Sequence, residues 1–287
     1  MNVLDLFSGI GGFSLGLERA GMRAVAFCEI DPYCQAVLRK HWPDVPLFRD
    51  VTTLRFDRYS DDKNEHGGTL YDEAGTRLSQ FVNVDVIVGS FPCQDISIAG
   101  KGAGIEGSRS GLWSEYARII GEVRPSYVIV ENVTALLGRG LERVLGDLAA
   151  LGFDAEWHCI PASAVGAPHR RDRVWIVAHT IGLSERWRTG RREEIARWSH
   201  NDAKGSGDHA IEVAAADSAV MERQWLASQI QAERNSFGGS SWWHVEPNVG
   251  RVAHGIPFRV ERFKALENAI VPQIAEIIGR AIISVSE

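Results

Sequence analysis

Several short apolar runs in this 287-residue chain break off at a glycine turn or an acid, and stretches with helical spacing lie between them. Asn2–Phe7 leads into Ser8-Gly9-Ile10-Gly11-Gly12, then into apolar residues spaced for a helix that Gly21 ends. Ala24–Cys28 stops at Glu29, a helix from Pro32 to about His41 follows, and Pro46–Phe48 leads to Asp50. Strands and helices in alternation predict an α/β sheet. Such sheets take ligands outside the carboxyl ends of their strands, and that is where these glycines and acids fall. A strand, a glycine turn and a helix N-terminus suit a phosphate or nucleoside. Ser14, however, holds the third glycine place of the dinucleotide fingerprint, and a tight turn without a ligand would use the same residues. Glu29, twenty residues past Gly9, stands where ribose hydroxyls are bound in such folds, and a solvated strand-end acid is the plainer reading. Taken together, a glycine loop and two acids at three successive strand ends can hold an adenosine.

A further run, Val84–Val88, reads as a buried strand that Pro92 cannot continue. Cys93 therefore sits at a strand's carboxyl end. A thiol there can be a nucleophile if a partner or a lowered pKa activates it; alone, it is equally a small buried residue beside a turn. Four glycines between Gly100 and Gly107 make the next stretch a loop able to close over a substrate. After a helix from about Ser110 to Val123, the strand Tyr127–Val130 ends in Glu131-Asn132-Val133, and an acid beside a candidate nucleophile can be its proton partner. A helix over about Leu141–Leu151 and a strand near Asp154–Ile160 follow. Arg170, Arg171 and Arg173 then run into the apolar strand Val174–Ala178.

The remaining segments carry charge rather than motifs. Residues 57–80 read as a polar surface insertion, with a small hairpin near Leu70–Leu78. Net charge is −6, yet residues 168–200 hold eight arginines against four acids, interleaved with Trp187 and Trp198. Local basic charge with aromatics suits phosphate contact, so 181–257 reads as a separate small lobe. Leu266–Ile283 reads as one apolar helix that packs back on the large domain, with Pro272 in its first turn. Cys28, Cys34, Cys93 and Cys159 lack metal-ligand or disulfide spacing, so no metal is expected. Met1–Asp5 is not the start of a signal peptide, and no apolar run reaches the 18 residues that span a bilayer.

Asp5–Gly12, Phe91-Pro92-Cys93-Gln94, Glu131-Asn132-Val133, Arg171-Asp172-Arg173 and Asn268–Pro272 together resemble the ordered motifs of the cytosine-5 DNA methyltransferases. The match covers about 1–56, 82–180 and 250–287. It implies an AdoMet-dependent methyltransferase fold: a mixed, mainly parallel sheet with helices on both faces and a small inserted target-recognition lobe. The catalytic domain would be 1–180 plus 258–287, the lobe 181–257. The cofactor would lie against Phe7, Ser8, Gly9, Gly11 and Gly12, with Glu29 on the ribose, Asp50 on the adenine amine, and Ile30, Val51 and Asn268 beside them. Cys93 would be the nucleophile, Glu131 would contact the cytosine ring, and Arg171 and Arg173 would assist. Pro92, Gln94, Ser97 and Asn132 would complete the substrate site.

The resemblance further implies a monomer acting on double-stranded DNA in the cytoplasm of a bacterium or from a phage gene, without membrane contact, and a cognate restriction endonuclease as a partner. Three residues or stretches depart from the family pattern: His169 stands for a common Gln, Glu267 for a common Gly, and only Arg251–Pro257 is a candidate for the motif before the last helix. Two alternatives share the same motifs: methylation of cytosine in structured RNA, and DNA binding with impaired turnover, which Glu267 motivates. A nicotinamide-dependent oxidoreductase leaves Cys93 and Glu131 without a role.

Overall fold

The computed structural model describes residues 1–58, 67–77, 82–92, 112–181 and 259–286. The first unit runs β1 (Asn2–Leu6), α1 (Gly12–Arg19), β2 (Arg23–Cys28), α2 (Pro32–His41) and β3 (Leu47–Phe48). A small antiparallel sheet follows, made of β4 (Arg55–Arg58), β5 (Gly67–Tyr71) and β6 (Val82–Asn83). The chain then rejoins the main sheet through β7 (Val86–Gly89), α3 (Leu112–Val123), β8 (Tyr127–Val133), α4 (Leu136–Arg139), α5 (Leu141–Ala150), β9 (Phe153–Pro161) and β10 (Asp172–Thr180). It closes with α6 (Arg259–Asn268) and α7 (Pro272–Ser286).

The seven-stranded main sheet has the order β3-β2-β1-β7-β8-β10-β9. β10 is antiparallel to both neighbours and the other pairs are parallel. This is the mixed, mainly parallel methyltransferase-type sheet that the resemblance implies. The central strands are apolar without interruption because both their faces are covered. Leu4, Leu6, Ile87, Val128 and Val130 pack with Trp113, Tyr116 and Ile120 of α3. Val3, Val86, Val88 and Ile129 face the opposite side, against Phe13 and Leu17 of α1 and Ile274, Ile278 and Ile282 of α7. Each such buried side chain contributes roughly 1.5–3 kcal/mol.

Four sequence expectations change. The strand expected to stop at Val130 continues to Val133, because β10 pairs with it from His179↔Tyr127 to Arg173↔Val133; Glu131 and Asn132 therefore lie within a strand. The segment 57–80, read as superficial, sends the fully buried Leu70 into the main core beside Phe56, although its Tyr71↔Arg77 bridge agrees with the expected hairpin. The single C-terminal helix is two helices. Pro272 has no N–H to give to a continuing helix and disfavours helical backbone at Val271, so the break falls just before it and Glu267 lies in the last turn of α6 rather than the first turn of α7. Finally, Val260–Ser286 is long and apolar enough by length and composition to cross a membrane; Ile270, Ile274, Ala275, Ile278 and Ile282 use that apolar character to pack against α1 and the sheet.

Candidate active site

A cleft of about 430 Å³ opens at the carboxyl edge of the sheet, and Phe7, Glu29, Asp50, Pro92, Glu131 and Arg173 all line it. It is of ordinary size for a small-molecule or cofactor site. It has two halves, one at the ends of β1, β2 and β3, the other at the ends of β7 and β8 and the start of β10.

In the first half each acid accepts at least one backbone N–H. Glu29 Oε2 accepts the Gly9 N–H at 2.7 Å and Oε1 accepts the Asp31 N–H at 2.7 Å. Burial raises the Glu29 pKa, and these two backbone bonds oppose the rise. Asp50 Oδ1 accepts the Thr52 N–H at 2.9 Å and the Thr52 hydroxyl at 2.7 Å. Asp31 Oδ1 caps α2 through the N–H groups of Tyr33 and Cys34, and its Oδ2 receives Lys264 Nζ from α6 at 2.9 Å. Phe7 adopts a left-handed φ of 52°, a strained conformation for a bulky residue. It turns the chain out of β1 at the cleft wall.

Beneath the glycine loop lies Asp5, fully buried. Ser14 donates its hydroxyl to Asp5 Oδ2 at 2.7 Å, and Ser8 donates its own to the Asp5 carbonyl at 2.6 Å. Burial pushes the Asp5 carboxyl up to about 8, against the pull of the Ser14 bond. The serine in the third glycine place thus ties α1 to the end of β1. Gly11 and Gly12, expected at the cofactor, do not line the cleft. Gly11 has a φ of 85°, and a side chain there would strike the Trp42 ring; one at Gly12 would meet the Ile270 backbone at 2.8 Å. A left-handed turn at Gly11 and the close approach of the α6–α7 junction at Gly12 require these two glycines. Ser8, Gly9, Ile30 and Val51 do line the cleft.

In the second half the acid is held by side chains. Glu131 is buried in β8. Its Oε1 lies 3.1 Å from Arg173 Nε, and its Oε2 accepts the Ser90 hydroxyl at 2.5 Å. Burial raises the Glu131 pKa, while the Ser90 bond and the charges of Arg173 and Arg171 lower it. Arg171 has a left-handed φ of 41° and donates to the Ala269 carbonyl at 2.8 Å, joining this half to the α6–α7 junction. Asn132, expected to touch substrate, lines the cleft but donates Nδ2 to the Phe91 carbonyl at 3.1 Å, which fixes the turn into Pro92. Asn268 lines the cleft too, with Nδ2 bonded to the Lys264 carbonyl of its own helix. Cys93, Gln94 and Ser97 lie outside the described residues, as does the expected lobe beyond Ile181.

Ser90 and Lys264 were not anticipated. Ser90 carries one signal, its place directly after the β7 residue Gly89. Lys264 carries none, because an exposed lysine on a charged helix predicts nothing.

The family model described as C-5 cytosine-specific DNA methylase matches residues 1–232. The Bacillus subtilis type II methyltransferase M2.BsuMI is 33% identical over 186 residues, which cover 62% of this chain and 42% of that protein. The Escherichia coli type II methyltransferase M.Eco47II is 36% identical over 189 residues, covering 64% of this chain and 40% of that protein. The alignments thus span about two fifths of the length of these curated relatives. Among solved structures, the S. pombe Dnmt2 methyltransferase is similar with a TM-score of 0.47 and 20% identity, covering 63% of this chain and 51% of that one.

Proposed function

The chain belongs to the C-5 cytosine-specific DNA methylase family, and from that premise we propose that it methylates carbon 5 of cytosine in double-stranded DNA, with AdoMet as the methyl donor. The observation that carries this reading is one continuous cleft in which a cofactor half, with Glu29 and Asp50, meets the Glu131–Arg173 ion pair. The cofactor half fits AdoMet. Glu29 accepts two backbone N–H bonds and each of its oxygens keeps a lone-pair direction for a ribose hydroxyl, Asp50 can accept from the adenine amine, and Phe7, Ile30 and Val51 offer apolar walls. When bound, AdoMet supplies a methyl group on a positively charged sulfonium.

The chain's own residues divide the remaining work. Carbon 5 of cytosine is a poor nucleophile. Addition of the Cys93 thiolate to carbon 6 makes the ring an enamine and activates carbon 5. Glu131 holds a proton at ring nitrogen 3 and offsets the charge that develops on the ring. Arg173 holds Glu131 in place and is available to the exocyclic oxygen. After methylation a base removes the carbon-5 proton, carbon 6 releases the sulfur, and the enzyme is restored. The ring is out of reach in a stacked duplex, so the base flips out. The stretch 181–257 serves as the target-recognition lobe, the rest of the chain as a catalytic domain working as a monomer beside a cognate endonuclease.

Trapping tests the mechanism. Duplex DNA with 5-fluorocytosine at the target is expected to form a covalent complex, since carbon 5 then has no proton to lose. Cys93→Ala is expected to abolish the complex and all methylation, and an adduct that persists in Cys93→Ala refutes the nucleophile. Matched RNA and DNA substrates decide the polymer.

A further inference from the structure

Glu131 is buried and, among the described residues, has two directional partners of different kinds. Arg173 Nε, 3.1 Å from Oε1, is a permanent donor that carries charge and cannot accept a hydrogen bond. Ser90 Oγ, 2.5 Å from Oε2, is a hydroxyl that both donates and accepts. Arg171 contributes charge from the same side, and its hydrogen bond goes elsewhere, to the Ala269 carbonyl.

The placement follows from the sheet. Gly89 of β7 pairs with Val130 of β8, so the next residues, Ser90 and Glu131, fall in the following row. β10 closes the row from the other side, where Trp175 pairs with Glu131 and Arg173 with Val133. The carboxylate is therefore clamped between the residue leaving β7 and the start of β10. The same β7 exit leads through Phe91 and Pro92 to Cys93, and Asn132 holds the Phe91 carbonyl at 3.1 Å. Adjacent residues of β8 thus grip adjacent residues of the nucleophile's turn.

We propose that Ser90 is a positioning residue that fixes the orientation of Glu131 and governs whether its carboxyl keeps or loses its proton. The proposal rests on the functional reading above and adds a residue to it. Two opposed effects act on Glu131. Burial favours the neutral acid, while the Ser90 hydroxyl, Arg173 and Arg171 favour the carboxylate. A short bond to a donor stabilises the charged form. Removing it leaves burial less opposed, so Glu131 must hold its proton to higher pH. Serine also lets the pair survive protonation, because its hydroxyl can accept from a neutral Glu131 when it no longer donates.

The test uses the full-length chain with Ser90→Ala and Ser90→Thr. Carboxyl carbon-13 NMR of glutamate-labelled protein follows the Glu131 titration directly, assigned by its loss in Glu131→Gln. The expected result is a Glu131 midpoint raised by about one pH unit in Ser90→Ala, the scale of one hydrogen bond to a charged group, and near the original value in Ser90→Thr. Methyl transfer is expected to fall about tenfold in kcat for Ser90→Ala, with its alkaline limb moved the same way and the KM for AdoMet unchanged. Threonine is expected to restore the rate. An unmoved Glu131 titration in folded Ser90→Ala overturns the proposal, whatever the rates. If the parent protein methylates nothing, the functional reading fails, and the NMR titration still decides whether Ser90 controls the Glu131 proton.

Discussion

The two halves of the cleft hold their acids in opposite ways. Glu29 is fixed by main-chain N–H groups from Gly9 and Asp31, and Asp50 by the Thr52 N–H with the Thr52 hydroxyl beside it. Glu131 is fixed by two side chains, Ser90 and Arg173. Main-chain donors at strand ends move only if the fold moves, so carboxylates held that way present a constant geometry to a ligand. Side-chain partners can reorient and, for serine, reverse the sense of the bond. That suits an acid whose proton must come and go during chemistry. On the proposed function, the first half binds the cofactor and the second carries the reaction.

The sharpest way to break this contrast is to remove the exchangeable proton without changing shape. Glu131→Gln keeps a side chain of the same size and an acceptor for Arg173 or Ser90, but has no carboxyl proton to share. It is expected to lower kcat by about 10²–10⁴-fold, the usual contribution of a positioned acid–base group, while AdoMet affinity by calorimetry stays unchanged. A large loss of AdoMet binding would show that the halves are not separable. The complementary change is Glu29→Ala, which removes the acceptor of two backbone N–H groups and the proposed ribose contact. It is expected to weaken AdoMet by about 1–3 kcal/mol and to leave DNA affinity without cofactor nearly as it was. Unchanged AdoMet binding would remove Glu29 from the cofactor site.

The same contrast explains what was legible in the sequence. Phe7, Gly9, Glu29 and Asp50 are local features: each lies at the end of an apolar run or within two residues of it, and the α/β rule for strand ends places them without knowledge of pairing. The second half depends on register. Ser90 and Glu131 are 41 residues apart and only the sheet order brings them together, while Arg171 and Ala269 are 98 apart and meet only because the α6–α7 junction packs against the start of β10. Glycine was ambiguous for a different reason. Gly9 lines the cleft, whereas Gly11 and Gly12 answer to Trp42 and Ile270, and a missing side chain looks the same in a sequence whether a ligand or a neighbouring residue excludes it. The α6–α7 break was hidden because apolar residues continue on both sides of it, although Pro272 was in view. That break moved Glu267 from the start of one helix to the end of another.

Glu267, in the last turn of α6, therefore supports the smallest prediction. A carboxylate in a helix's last turn faces the negative end of the dipole, which costs roughly 0.3–1 kcal/mol at an exposed site. Replacing it by glycine, the residue common in the family, removes that cost but gives up helix propensity of at most about 1 kcal/mol, less at a helix end. A third effect acts through Arg171, whose charged form Glu267 favours; Glu267 is exposed, so water screens that attraction. The three effects oppose one another and none is large. Glu267→Gly is expected to change stability by less than about 1 kcal/mol, as a surface substitution does, and methyl transfer by less than about tenfold, since Arg171 keeps its bond to the Ala269 carbonyl. Thermal melts and single-turnover rates check both. A hundredfold rise in rate on restoring glycine would mean that the charge of Glu267 reaches through Arg171 to Glu131, and that an exposed residue on α6 restrains the reactive half of the cleft.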